Sequence, residues 1–322
     1  MSSFSGPAVE AKAIRRRFGA TQALDGIDFR IDPGEIVGYI GPNGSGKTTT
    51  MRAMLGLMRL DAGELRIFGR DIAAEWPAIG PHVGAVFDQH ALHPHLTVRE
   101  TLDLYARLLV APGERRRAVD RAIEMMDLGN RARARAKTLS KGLQQRLAFA
   151  RALVHSPALL LLDEPFDAID TETHRRLRDL LRHQVGQGTA IFLTSHDLHE
   201  VEQLASRVVI LGHGRVIAAG TPAELKRGTG AGAVAVAVTF QQPVSAADVA
   251  AALAGVVGAE GVAFADGGTK ITVHPPAGVP IDAIAARLIA AGLRVRQFQP
   301  LESTLEDAYF AHLPEHAGEQ RR

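Results

Sequence analysis

A chain of 322 residues, 46% of them hydrophobic, is long enough for two domains and a sizeable core. Lys and Arg number 37 against 35 Asp and Glu, a formal net charge of +2, so no single-sign field argues for a nucleic-acid partner. With no cysteine there are no disulfides, no thiolate metal sites and no cysteine nucleophile, a composition that suits a reducing compartment. The first residues lack a basic stretch leading into an apolar run, so no signal peptide is expected. No segment approaches the ~18 consecutive apolar residues of a membrane span. The expectation is a soluble protein, or one that meets a membrane only through a partner.

Two extended segments, 9–18 and 23–31, alternate apolar and polar residues around a Gly19-Ala20-Thr21-Gln22 turn and predict an antiparallel sheet. Phe18 stands at its tip, where it could either stack on a ligand's ring or belong to the core. Arg15, Arg16 and Arg17 read as a solvated face. After a Pro33-Gly34 turn, Ile36-Val37-Gly38-Tyr39-Ile40 predicts a buried strand that runs into Gly41-Pro42-Asn43-Gly44-Ser45-Gly46-Lys47-Thr48-Thr49, with a helix over 49–57. The pattern G-x-x-x-x-G-K-T between strand and helix is a P-loop. Its glycines let the backbone close into a nest of N–H groups around phosphate oxygens, and the helix adds its positive dipole end. Lys47 is then placed to reach the β- and γ-phosphates of a nucleotide, and Thr48 to offer its hydroxyl to Mg²⁺.

Downstream, 65–68 predicts a short strand, and the run Val83-Gly84-Ala85-Val86-Phe87 predicts a buried strand ending on Asp88-Gln89. A polar residue at the carboxyl end of such a strand sits where open α/β sheets bind ligands, so Gln89 is a candidate for contact with Mg²⁺ or the attacking water. His90, His93 and His95 suggest a metal site, but Pro94 interrupts them and no carboxylates accompany them; an exposed contact loop fits better. Thr97-Val98-Arg99-Glu100 is a capping box opening a helix through 109. Arg115–117 and Arg131, Arg133 and Arg135 read as surface charge, with contact to membrane lipids or a partner loop as the alternative. Ser140 then caps a helix, and Ser140 with Gly142 makes a second anion site at its N-terminus.

Leu159-Leu160-Leu161-Leu162-Asp163-Glu164 delivers two adjacent acids at the end of a buried strand. Burying unpaired charge is expensive, and a Mg²⁺ ion arriving with a nucleotide would offset that cost. Asp163 fits the metal shell, through water, and Glu164 the general base that polarises the attacking water. Ala190-Ile191-Phe192-Leu193-Thr194-Ser195-His196 repeats the pattern and ends on His196, placed to sense the γ-phosphate.

Taken in order, these motifs resemble the ATP-binding cassette (ABC) family of transporter ATPases over about 9–225. Gly41 to Thr48 resembles the Walker A loop, Gln89 the Q-loop, and Leu139-Ser140-Lys141-Gly142-Leu143-Gln144-Gln145 the signature motif. Leu159 to Asp163 resembles Walker B, Glu164 the catalytic glutamate, 167–170 the D-loop, and His196 the switch histidine. The resemblance implies an adenine-stacking role for Phe18, where an aromatic is usual. It also implies that Ser140 and Gly142 bind the ATP held by a second cassette, in a head-to-tail dimer whose closure drives transport. Lys141 and Leu143 depart from the usual Leu-Ser-Gly-Gly-Gln, and the Leu-Ser-Lys-Gly form resembles the drug- and antibiotic-exporter branch (ABC-2 type). Asp167 stands where a small polar residue is common. Nothing needed for hydrolysis is missing.

Beyond the cassette, Gly212-His213-Gly214 between two apolar runs predicts a hairpin, and Thr221-Pro222-Ala223-Glu224 a helix start. Residues 226–232 read as a linker. Strand, helix, strand, helix and strand over 233–240, 246–254, 270–274, 281–291 and 293–298 suggest a ferredoxin-like module without a chemical constellation. The expected fold class is therefore α/β: a P-loop NTPase cassette over 1–225, with an antiparallel β subdomain and a helical subdomain at about 90–157. It is followed by a small α+β domain over 233–312 and a polar tail over 313–322. The expected function is the ATP- and Mg²⁺-dependent subunit of an exporter, working as a homodimer on separate transmembrane permease subunits at the cytoplasmic face of the membrane. The rival is a soluble ABC ATPase of ribosomes or nucleic acid. Such relatives carry paired cassettes or long charged linkers, which this chain does not.

Overall fold

The computed structural model describes residues 6–87, 91–167, 169, 171–228, 235–258, 261–276, 279–301 and 304–313. It divides into two compact units, Met1–Thr221 and Pro222–Arg322.

The first unit begins with the long hairpin β1 (Val9–Phe18) and β2 (Thr21–Ile31). Its turn is tighter than the sequence suggests, because Phe18 pairs directly with Thr21 across Gly19 and Ala20. Next come β3 (Ile36–Ile40), α1 (Lys47–Met54), β4 (Ala62–Ile67), β5 (Arg70–Asp71), α2 (Ile72–Ile79) and β6 (Val83–Val86). Three helices follow: α3 (Val98–Leu109), α4 (Arg115–Met125) and α5 (Lys141–Leu153). The unit finishes with β7 (Leu159–Asp163), α6 (Thr171–Gly186), β8 (Ala190–Thr194), α7 (Leu198–Leu204), β9 (Arg207–Gly212) and β10 (Arg215–Gly220).

These strands make two sheets. One is antiparallel in the order β2-β1-β4-β5; the other runs β10-β9-β3-β8-β7-β6, parallel throughout except for the β9–β10 hairpin. Every residue of β3, β7 and β8 is buried, as expected of central parallel strands covered on both faces. By contrast β10, at the edge, alternates partly buried and exposed positions. Phe29 of the antiparallel sheet lies 5.4 Å from Tyr39 and 6.1 Å from Phe192 of the parallel one, ring centre to ring centre, and Tyr39 and Phe192 are 4.8 Å apart. This aromatic contact joins the two sheets into one core, each tilted pair adding about 0.5–1.5 kcal/mol beyond simple burial. Parallel alignment has a direct consequence for function. Ile40, Asp163 and Thr194, the last residues of β3, β7 and β8, come to one edge, with Asp163 directly opposite Thr194.

Helix starts follow the sequence closely. Thr97 makes both halves of the capping box with Glu100, and Ser140 caps α5 by accepting from the Leu143 N–H at 3.4 Å. His93 and His95 are exposed in the loop before α3, and no group of three or more His, Cys, Asp or Glu side chains suited to a metal occurs among the described residues.

The second unit opens with α8 (Pro222–Gly228), which packs on its last helix, α11 (Leu305–His312). The division thus falls at 221 rather than 225, and 226–228 of the expected linker are helical. The remaining elements are β11 (Ala235–Phe240), α9 (Ala246–Leu253), β12 (Val262–Ala265), β13 (Lys270–Val273), α10 (Ile281–Ala290) and β14 (Val295–Leu301). The antiparallel sheet has the order β12-β13-β11-β14, a βαββαβ arrangement with a separate core around Val238, Ile271, Ile284 and Leu288. Strand β12 has no counterpart among the predicted elements: most of it is exposed and its four residues lack a buried alternation.

Candidate active site

At the strand edge, the chain leaves β3 through the glycine-rich loop and enters α1. A side chain is impossible at two of its glycines. A Cβ on Gly41 would lie 2.6 Å from Ser45 Oγ and 2.7 Å from the Leu211 carbonyl. Gly46, at φ 108°, would place one 2.6 Å from the Ala23 carbonyl. The loop is therefore pressed against β9 on one side and the β1–β2 sheet on the other, which fixes its curvature. Gly46 provides no side-chain cap for α1, so the first-turn N–H groups are available to an anion. Ser45 Oγ is buried and has no hydrogen-bond partner among the described residues, a further donor awaiting an acceptor. Lys47 folds back across this cradle, its Nζ donating to the Gly41 carbonyl at 2.7 Å and the Pro42 carbonyl at 3.2 Å. Burial pushes the ammonium below its ordinary pKa, while the carboxylates of Glu164 and Asp163 hold it up.

The two acids at the end of β7 are held differently. Asp163, only 8% exposed, accepts from Thr194 Oγ1 at 2.6 Å through one oxygen and from Thr48 Oγ1 at 3.5 Å through the other. Glu164 turns away from the strand with φ 48°, and its N–H is shared between the Thr194 carbonyl (3.1 Å) and Oγ1 (3.3 Å). Its Oε2 accepts from the His196 N–H at 3.0 Å and lies 2.8 Å from His196 Nδ1, a distance at which that ring nitrogen is the donor. The hydroxyl of Thr48 and the carboxylate of Asp163 are hard oxygen donors of the kind Mg²⁺ takes, few enough that phosphate oxygens and water would complete the shell. The residues present fit that ion.

Residues 24–167 match the profile of the ABC transporter family. The chain is 38% identical over 224 residues to the daunorubicin resistance ATP-binding protein DrrA3 of Streptomyces coeruleorubidus, covering 69% of this chain and 71% of that one. It is 33% identical over 308 residues to the daunorubicin resistance ATP-binding protein DrrA2 of the same organism, covering 94% of each. Among solved structures, a dimeric, post-hydrolysis ATP-binding cassette bound to ADP and Pi superposes with a TM-score of 0.61 at 28% identity, covering 66% of this chain and 98% of that one. The chain belongs to the ABC transporter family of ATP-binding proteins. ABC cassettes bind ATP and, as a family, hydrolyse it.

Within this ABC cassette the strand edge assembles Gly41 to Thr49, Asp163, Glu164 and His196 as the motif order predicts. Gln89 and Asp170 lie outside the described residues. Phe18 is not a core residue: it is 47% exposed, and the Arg16 guanidinium sits 4.9 Å above its ring centre. An exposed aromatic is free to stack, an interaction worth about 1–3 kcal/mol for a base. Phe18→Ala is therefore expected to raise the KM for ATP at least about fivefold with kcat within about twofold. An unchanged KM in steady-state assays would remove the ring from the adenine site.

Ser140 is exposed and Gly142 partly so, at the uncovered start of α5. Two of the departures from the family pattern meet: Lys141 Nζ lies 3.8 Å from Asp167 Oδ2, an exposed pair worth about 0–1 kcal/mol. Three residues of this region were not singled out from sequence. Gln145, buried behind the signature, donates to the Pro165 carbonyl at 2.7 Å and so ties α5 to the segment after Glu164. Arg151, an arginine within the apolar Ala148-Phe149-Ala150-Arg151-Ala152-Leu153 run, donates to the Ala85 (3.4 Å) and Ala91 (3.1 Å) carbonyls and faces the Tyr105 ring at 5.4 Å. Thr194, the third, is a polar residue closing an apolar strand opposite an acid, and that register is the signal that could have found it.

Proposed function

We propose that this chain is the ATP-hydrolysing subunit of an ABC exporter, with one cassette per chain, paired with a second copy and with separately encoded membrane subunits. The observation that carries the reading is the convergence of Lys47, Thr48, Asp163, Glu164 and His196 at one sheet edge, with Glu164 held by His196 rather than buried unpaired. The loop of Gly41, Pro42, Asn43, Gly44, Ser45 and Gly46, with Thr49 in the first turn, wraps the phosphates. Lys47 moves from the loop carbonyls to the β- and γ-phosphates, and Phe18 stacks on adenine. Thr48 and Asp163, with Gln89, hold Mg²⁺, which when bound neutralises phosphate charge and orients the γ-phosphoryl group. Glu164 takes the proton of the attacking water and His196, through Nδ1, keeps the carboxylate aimed. Ser140 and Gly142 complete the site of the second copy. The dimeric form of the related cassette supports the pairing. The daunorubicin resistance named for DrrA2, a relative covering 94% of both chains, supports export of a drug-like cargo. The second unit is proposed as an accessory domain, and the working location as the cytoplasmic face of the membrane. No helix among the described residues is long and apolar enough to cross a membrane.

Tagged Glu164→Gln protein, recovered from gently solubilised membranes with Mg-ATP, is expected to bring a polytopic membrane protein with it. Recovery of ribosomes or nucleic acid instead, with the protein staying in the soluble fraction, would replace the exporter by the rival reading.

A further inference from the structure

Thr194 ends β8 and is fully buried. Its β-branched side chain has little rotational freedom, so the hydroxyl is fixed in direction by the strand itself. That hydroxyl has one proton to give and lone pairs to accept with. The proton goes to Asp163 Oδ1 at 2.6 Å, a short, charge-assisted bond inside the core. A lone pair faces the Glu164 N–H at 3.3 Å, and the Thr194 carbonyl takes the same N–H at 3.1 Å. One side chain therefore touches both the Asp163 carboxylate and the backbone of Glu164 from the neighbouring strand. The bond to Oδ1 also decides the orientation of the Asp163 carboxylate, because it leaves Oδ2 as the oxygen turned toward Thr48 Oγ1 at 3.5 Å. An ordinary strand threonine would bond a backbone carbonyl or a neighbouring hydroxyl and would be replaceable by valine at little cost.

We propose that Thr194 is a positioning residue for metal-nucleotide binding: its hydroxyl locks the Asp163 carboxylate with Oδ2 presented to the cation, and its two acceptors pin the backbone of Glu164 in the turn that aims its side chain. The inference rests on reading Asp163 as the Mg²⁺ carboxylate. Removing an outer hydrogen bond to a ligating group typically costs about 10–100-fold in metal affinity.

The test uses the full chain and a fluorescent ATP analogue, with binding followed as Mg²⁺ is titrated, alongside thermal unfolding. Thr194→Val, which keeps shape and removes the hydroxyl, is expected to raise the Mg²⁺ concentration at half-maximal binding by about 10-fold or more. Its binding of the analogue in EDTA should stay within about threefold of the parent. Thr194→Ser is expected to return the Mg²⁺ midpoint to within about threefold, since the hydroxyl is what matters. A purely structural threonine would lower the melting temperature and leave the Mg²⁺ midpoint alone, and that pattern would overturn the inference. Asp163→Asn separates the two claims. If Asp163→Asn shifts the midpoint and Thr194→Val does not, the positioning role fails by itself; if neither shifts it, the metal assignment of Asp163 fails. Should the valine variant not fold, Thr194→Ala against Thr194→Ser carries the same comparison.

Discussion

Glu164→Gln is expected to lower steady-state ATP hydrolysis by about 100-fold or more while leaving ATP affinity within about threefold of the parent protein. The amide has the size of the carboxylate, and its oxygen can still accept from the His196 N–H and Nδ1, so the geometry that Oε2 now maintains at 3.0 and 2.8 Å persists. What disappears is the basicity needed to take a proton from water. A site that binds ATP and cannot consume it should accumulate its closed form. Gel filtration with Mg-ATP is then expected to show a dimer that the parent protein forms only transiently. Turnover within about tenfold of the parent would remove Glu164 from the chemistry and leave its pairing with His196 as a structural contact.

Lys47→Ala is the second large effect. In the described state the ammonium bonds two loop carbonyls, neither of which is charged, so a phosphate is the better acceptor and the exchange on nucleotide binding is favourable. Hydrogen bonds to charged groups contribute about 1.5–3 kcal/mol, which corresponds to a loss of roughly 10- to 150-fold in ATP affinity. The loss should be compounded by the neighbouring acids: Asp163 and Glu164, which now support the ammonium's charge, would face the polyphosphate without a cation between them. Isothermal titration without Mg²⁺ isolates the lysine's share, and an affinity within threefold of the parent would show that Lys47 stays on Gly41 and Pro42 when nucleotide binds.

The legible part of this molecule is the part whose causes are local. Strands β3, β7 and β8 announce themselves as continuous apolar runs because both their faces are covered, and β7 and β8 end on the polar residues, Asp163 and Thr194, that their parallel alignment brings to the shared edge. The glycine-lysine-threonine loop is equally local, since strand, turn and helix are consecutive. The capping residues Thr97 and Ser140 act within three residues of themselves. Thr194 was hidden for the opposite reason: its partner Asp163 is 31 positions away, and only the register of β7 against β8 makes them neighbours. Phe18 stayed open between core and surface because alternation along β1 says which residues share a face, not how far the tip projects. Gln145 and Arg151 look like ordinary polar positions on a helix until the backbone carbonyls they bind, from segments distant in the chain, are in place. Strand β12 was lost because four mostly exposed residues leave no pattern to read.

Glu164 holds a left-handed backbone, at φ 48°, that most side chains avoid at a cost of about 1–2 kcal/mol. Thr194 and His196 absorb that cost by fixing its N–H and its carboxylate. On the mechanism proposed above, glycine at this position would relax the turn and remove the base, at the cost of the His196 contacts to the carboxylate. Selection for thermal robustness and selection for turnover therefore pull in opposite directions at a single codon. Engineering that relieves left-handed backbone by substituting glycine would include Glu164 among its targets and so act against the proposed base.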